Sequence, residues 1–454
     1  MRLKRFLIGL LALIVLAVVG VLGWLMVAPP ELLRIADGYA AKIICSNVFL
    51  ANRDPQQVLD VDVTAAGNPV LKYIKQSVDR DGGTVTAKML GFIAPMTAVY
   101  RPGLGCTLAA DGNVEAVRKI ALSTQPVIAR LPDAPWPEGN NASTTDPRIA
   151  AILDDPKMTG PGMRALVVVR DGRIIGERYG QGFDQNTPLL GWSMTKTLNG
   201  VLLGMAIGDG KVSLSDKGLF PAWSDRRKDI TVAELAAMES GMVFEENYGE
   251  VTDVTQMLYL EPDMAGFTEK KALVAAPGSK FSYATGVGME LARLWMDKQP
   301  DAQTALSFPR ERLFGPLGMT TAILETDEAG TFAGGSYGYA SGRDWARLGQ
   351  FLLQDGTWNG QQLLPANLVT MMETGNGYPG GYSQYLTWLE GPKEDDATHF
   401  GLPKDTFWMS GHDGQSVAMI PSAKLVVARL GLTPTDLGWG PEPMVKAILA
   451  ALGP

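Results

Sequence analysis

Histidine and cysteine are almost missing from this chain, with two of each in 454 residues. That scarcity excludes a usual Cys/His zinc cluster and a four-cysteine iron–sulfur site, so no metal and no cofactor is expected. Positive charge is short as well. Forty Lys and Arg against 48 Asp and Glu leave a net charge of −8, which argues against a nucleic-acid partner, because phosphates need a basic face to meet. Apolar residues are plentiful. Hydrophobic side chains make up 46% and charged ones 19%, enough for a sizeable core and incompatible with a disordered chain. The length suits two or three packed units.

A charge-free apolar run extends from Phe6 to Ala28 behind Arg2, Lys4 and Arg5. As a helix it would cover about 34 Å, enough for a hydrocarbon core of about 30 Å. Cleavable signals have shorter apolar stretches and a small-residue cleavage site, whereas this run ends in Trp24 and Ala28-Pro29-Pro30. An uncleaved inner-membrane anchor is expected, its basic end cytoplasmic and the remainder in the periplasm. The alternative is a removed signal and a secreted protein. Cys45 and Cys106 both follow this run. In an oxidising compartment they are most simply one disulfide, the alternative being two buried thiols.

Beyond the anchor or signal at 1–30, a small disulfide-linked α+β cap is expected at 31–123 and a Pro-rich linker at 124–147. The main domain, 148–454, opens with Arg164–Arg170, the turn Asp171-Gly172 and Arg173–Tyr179. Asp-Gly between two β-rich runs is a hairpin signal. A similar pattern returns at Val417–Ile420, Pro421-Ser422-Ala423-Lys424 and Leu425–Leu430, with roughly 200 residues of mostly helical periodicity between the two. The fold class that follows is α+β. One antiparallel sheet is built from N- and C-terminal strands, with a large helical insert beside it and a last helix near Pro443–Leu452 packed on the sheet.

Gly191-Trp192-Ser193-Met194-Thr195-Lys196 carries a Ser-x-x-Lys. Apolar residues follow at Leu198, Val201, Leu202 and Met205, the spacing of a helix with one buried stripe. Ser193 therefore falls in the first turn with Lys196 on the same face. A backbone N–H at a helix start has no partner within the helix, so it can donate to an oxyanion. The helix dipole and partial burial disfavour a protonated lysine, so Lys196 can serve as general base toward the serine hydroxyl. Two more segments fit that chemistry. Tyr283, in Phe281-Ser282-Tyr283-Ala284-Thr285-Gly286, can relay a proton to a leaving group. Ser410-Gly411-His412-Asp413-Gly414-Gln415 can present backbone N–H groups to a bound carbonyl from the start of a strand.

In this order, these motifs resemble those of the serine β-lactamase and penicillin-binding superfamily over about 150–445. The first matches Ser-x-x-Lys, the second Tyr-x-Asn in its tyrosine, and the third Lys-Thr-Gly only as His-x-Gly. Glu239-Ser240-Gly241-Met242, Glu246-Asn247-Tyr248 and Ala340–Trp345 look closest to the class-C-like branch of family VIII carboxylesterases and 6-aminohexanoate-dimer hydrolases. The resemblance implies an α/β/α sandwich, with Ser193 as acylated nucleophile, Lys196 as base, Tyr283 as proton shuttle, and the N–H groups of Ser193 and Gln415 as oxyanion hole. Tyr248, Thr285, His412 and Gly414 would contact substrate. Thr285 and His412 stand where β-lactamases carry asparagine and lysine, which weakens the case for a β-lactam and fits esters or small uncharged amides. The expected protein is a membrane-tethered extracytoplasmic serine hydrolase of small-molecule esters or amides. The alternatives are a catalytically silent receptor for a cell-envelope ligand and a true β-lactamase or DD-peptidase. The residues set no oligomeric state.

Two other motifs lack their context. Gly334-Gly335-Ser336-Tyr337-Gly338 matches Gly-x-Ser-x-Gly, but the polar Asp327–Thr331 precedes it where a buried strand is needed, so it reads as a Gly-rich loop at a pocket rim. Gly375–Gly380 matches Gly-x-Gly-x-x-Gly without the strand–turn–helix setting that a pyrophosphate needs.

Overall fold

With no charged side chain between Arg5 and Glu31, the N-terminal run forms one helix, α1 (Arg2–Val27), whose apolar residues are exposed. By length and composition it suits a membrane span or a signal sequence. The computed structural model describes residues 2–65, 68–125, 128, 131–142, 145–392 and 399–453. The chain forms two units. The first takes Met1–Tyr100, Cys106–Arg118 and Asn247–Pro262, and the second takes Arg101–Gly105, Lys119–Glu246 and Asp263–Pro454.

In the first unit, α2 (Glu31–Ala51) stops at Asn52, whose left-handed backbone returns its N–H to Asn47 O. Beside it lies an antiparallel sheet in the order β1 (Ile74–Asp79), β2 (Thr84–Met89), β3 (Ile93–Arg101), β4 (Gly105–Ala109). A disulfide joins Cys45 on α2 to Cys106 on β4. The buried Arg53 grips Asp62 through two hydrogen bonds of 2.9 and 2.7 Å. A short helix from far along the chain, Asp253–Tyr259, completes the unit, its Tyr259 ring edge-on to Tyr39 at 5.8 Å.

The second unit is built on five antiparallel strands. β5 (Met163–Arg170) and β6 (Arg173–Tyr179) form the expected hairpin, in which Asp171 and Gly172 both adopt positive φ (48° and 73°), as a type I′ turn requires. β7 (Phe407–Gly411), β8 (Gln415–Ile420) and β9 (Leu425–Gly431) complete the order β7-β8-β9-β5-β6. Pairing of Leu425 with Arg170 and Val427 with Val168 joins the two ends of the domain. Alternate side chains feed two cores. Val167, Val169, Val417 and Val426 face the large helical side, while Leu166, Val168, Ala418 and Val427 face Met444, Val445 and Ile448 of the C-terminal helix. The result is an α/β/α sandwich. On the helical side lie α3 (Met194–Gly208) and α4 (Thr285–Asp297). Buried Asn199 ties them, donating to Gly288 O at 2.9 Å and accepting from Trp295 Nε1 at 2.8 Å.

The described part of 124–147 is strapped down by arginines of this unit. Arg173 donates to Trp136 O (2.7 Å) and Arg347 to Gly139 O (2.8 Å), and Trp136 is buried.

Candidate active site

Just before α3 the chain turns sharply. Gly191 donates to Gly338 O (2.8 Å) and Trp192 takes a left-handed φ of 47°, a conformation that bulky residues adopt only where surrounding structure imposes it. Ser193 then occupies the cap position of α3, and its side chain makes no capping hydrogen bond. The hydroxyl meets Lys196 instead, whose Nζ lies 2.9 Å from Ser193 Oγ. Lys196 is 1% exposed. Its Nζ also lies 2.9 Å from both Thr285 Oγ1 and Gly335 O. Burial pulls the amine down from its usual range to about 8, with the Glu246 charge acting the other way.

Tyr283 precedes α4 and sets its ring 4.8 Å from Lys196 Nζ. Burial raises this phenol well above its ordinary value, and the neighbouring Tyr382 and Glu246 add to the effect, so it stays neutral and able to donate. Its ring packs on Tyr382 (5.7 Å) and Trp388 (5.2 Å). Trp388 is held by backbone bonds to Trp408 on β7, which fixes this aromatic wall to the sheet. Thr285, a substrate contact by resemblance, is fully buried. Its hydroxyl donates to Glu246 Oε1, and its backbone N–H donates to Glu246 Oε2 at 2.9 Å.

The third segment reaches the first through a missing side chain. A Cβ on Gly411 would stand 2.2 Å from Gly191 O, so only glycine lets β7 approach the turn that precedes Ser193. His412 follows, 38% exposed, with its ring 5.7 Å from Trp192. Asp413 (φ 57°) and Gly414 (φ 80°) turn the chain into β8. Two buried side chains hold that turn. Gln415 exchanges hydrogen bonds with Gly431 of β9 (2.6 and 2.9 Å) and donates to His412 O, and Arg429 donates to Gly414 O at 3.0 Å.

Ser193, Lys196, Tyr283 and Thr285 thus converge by direct contact, with His412, Gly414 and Gln415 on the adjoining turn. Tyr248 belongs to the first unit. Ser336 is not at a rim: it is completely buried behind Gly335, its hydroxyl has no hydrogen-bond partner, and a strand rather than a helix follows it. Among the described residues no group of three or more His, Cys, Asp or Glu is placed to hold a metal ion. Three contributors escape sequence reasoning: Glu246, the Gly335 carbonyl and Arg429. Glu246 stands in a stretch that carries the family resemblance, but no spacing links it to Lys196. A backbone carbonyl leaves no mark in a sequence.

The beta-lactamase family model matches residues 153–435, more than half of the chain. This chain belongs to the beta-lactamase family. Solved structures share the fold at low identity. A Bacillus anthracis protein assigned as a 6-aminohexanoate-dimer hydrolase aligns over 75% of this chain and 94% of its own, with 20% identity and a TM-score of 0.57. A penicillin-binding protein homologue from Caulobacter crescentus aligns over 68% and 99%, with 15% identity and a TM-score of 0.53. A family VIII carboxylesterase aligns over 68% and 98%, with 14% identity and a TM-score of 0.50. No curated protein matches the chain. This is a β-lactamase-like serine hydrolase family with esterase and amidase neighbours.

Proposed function

We propose that this chain hydrolyses small-molecule esters or uncharged amides through an acyl-enzyme on Ser193. The observation that carries the reading is the 2.9 Å contact between Ser193 Oγ and a buried Lys196 amine that is half neutral near pH 8. Ser193 Oγ attacks the carbonyl carbon while its proton passes to Lys196 Nζ. The N–H groups of Ser193 and Gln415 hold the oxyanion. When the tetrahedral species collapses, Lys196 returns the proton through the Tyr283 hydroxyl to the departing alcohol or amine. Water then attacks the acyl-serine by the reverse route. His412 stands where a lysine ammonium would meet a substrate carboxylate, and the Thr285 hydroxyl is committed inside the protein. Both features favour uncharged esters and amides over β-lactams. The test is hydrolysis of p-nitrophenyl butyrate by the detergent-solubilised chain and by Ser193→Ala. Loss of about 10³-fold or more is expected, and activity surviving in the variant refutes the reading.

The same proposal puts α1 in a membrane with Arg2, Lys4 and Arg5 on the cytoplasmic side and the disulfide-bonded remainder outside. N-terminal sequencing of the membrane-extracted protein should find an intact start. A mature chain beginning near about residue 29 would identify a cleaved signal instead.

A further inference from the structure

We infer that Glu246 is a positioning residue that aims the lone pair of Lys196 at Ser193. The inference rests on the acyl-enzyme reading above and adds a carboxylate to it.

Donors and acceptors around the amine can be counted. A neutral lysine amine has two N–H donors and one lone pair. Three groups surround Nζ at 2.9 Å: Gly335 O, Thr285 Oγ1 and Ser193 Oγ. A carbonyl oxygen can only accept. Thr285 has one hydroxyl proton, and the Glu246 carboxylate, which can only accept, takes it. Toward Lys196, Thr285 is therefore an acceptor too. Both amine N–H bonds are committed, and the lone pair is left facing the Ser193 hydroxyl. The second carboxylate oxygen accepts the Thr285 backbone N–H at 2.9 Å, so Glu246 cannot swing away without uncovering the start of α4.

The arrangement also suits the step it prepares. As the Oγ–carbon bond forms, the Ser193 proton moves to Nζ, and the resulting ammonium has three N–H bonds for the same three acceptors. No neighbour has to rotate, and the Glu246 charge stands one hydroxyl away from the new cation. Without Glu246, Thr285 is free to turn its proton toward Nζ. The lone pair would then be spent on threonine, with an N–H pointing at the serine. Tyr283 and Tyr382 also face this cluster, and burial holds both neutral.

A carboxylate at a helix start also stabilises the helix, so the test must read more than folding. In the full chain, Glu246→Gln should lower the plateau kcat/KM for p-nitrophenyl butyrate about ten- to hundredfold through kcat. The acidic limb of the pH profile should move to lower pH, because the charge that favours the ammonium is gone. Thr285→Val should lose a similar factor and Thr285→Ser should recover most of it. The double variant Glu246→Gln/Thr285→Val should be no worse than the worse single one, since both break one relay. Plateau activity within about twofold of wild type with an unmoved limb, or losses that multiply, would overturn the inference. If Glu246→Gln fails to fold, equal activity of the two Thr285 variants would overturn it. Ser193→Ala separates the two readings: an active Ser193→Ala sinks the acyl-enzyme itself, whereas an inert one beside a normal Glu246→Gln sinks only the role of Glu246.

Discussion

Lys196 can take a proton only when it is neutral, so the acidic side of the pH–rate profile should report its ionisation. With a value of about 8, the neutral fraction is about one half at pH 8, a tenth at pH 7 and a hundredth at pH 6. The rate should therefore fall about tenfold per pH unit below 8. The cause is burial: the amine is 1% exposed and its three contacts are uncharged oxygens, the nearest carboxylate lying beyond Thr285. The same displacement enters stability. An unfolded chain keeps this proton up to about 10.5 and the folded one releases it near 8. Between those values the unfolded state binds more protons, so stability rises with pH through that window. Below pH 8 the folded protein carries the full cost, about 3 kcal/mol. The assay is kcat/KM for p-nitrophenyl butyrate at fixed ionic strength from about pH 5.5 to 10. Denaturant midpoints of wild type and Lys196→Met across the same range isolate this one group. A profile flat between about pH 6 and 9 would refute the reasoning.

Three further outcomes are expected. Tyr283→Phe keeps the ring packed on Tyr382 and Trp388 and removes only the hydroxyl. It should cut kcat about a hundredfold with an unchanged melting temperature, and activity within about threefold of wild type would remove the proton shuttle. Titration of thiols on the unfolded, unreduced protein should find none. Replacing Cys45 and Cys106 by serine opens a loop with a sequence separation of 61 and should cost about 4 kcal/mol by chain entropy; a loss below about 1 kcal/mol would contradict that account.

The parts of this molecule that are legible in its sequence are those set by local rules. Asp171-Gly172 announces its hairpin because both residues tolerate positive φ, and the apolar stripe from Leu198 to Met205 announces α3 and puts Lys196 beside Ser193. The expected sheet from the two ends of the domain is present, since those strands carry continuous apolar runs. What cannot be read depends on segments meeting across long separations. The helix Asp253–Tyr259 has the pattern of its neighbours in sequence, yet belongs with Tyr39 to the first unit and packs beside it there. Glu246 looks like a loop carboxylate until α4 brings Thr285 against it. The glycines before Ser336 suggest a pocket rim because glycines usually mark surface turns. Gly334 and Gly335 instead allow a tight approach to Asn199 and the Thr285 carbonyl, where any Cβ would collide, and the serine is sealed inside.

Ser193 and Lys196 leave the ribosome three residues apart and could meet in an isolated helical turn. If the amine acts as proposed, that turn is inert by itself. The carboxylate, the hydroxyl and the carbonyl that surround the amine come from residues 246, 285 and 335, and the proposed oxyanion donor at Gln415 is set only when β8 and β9 join β5. On that reading, hydrolytic capacity waits for strands β8 and β9. A polypeptide still being made, threaded across a bilayer or cut short would carry its nucleophile unarmed, and activity would serve as a readout of completed folding.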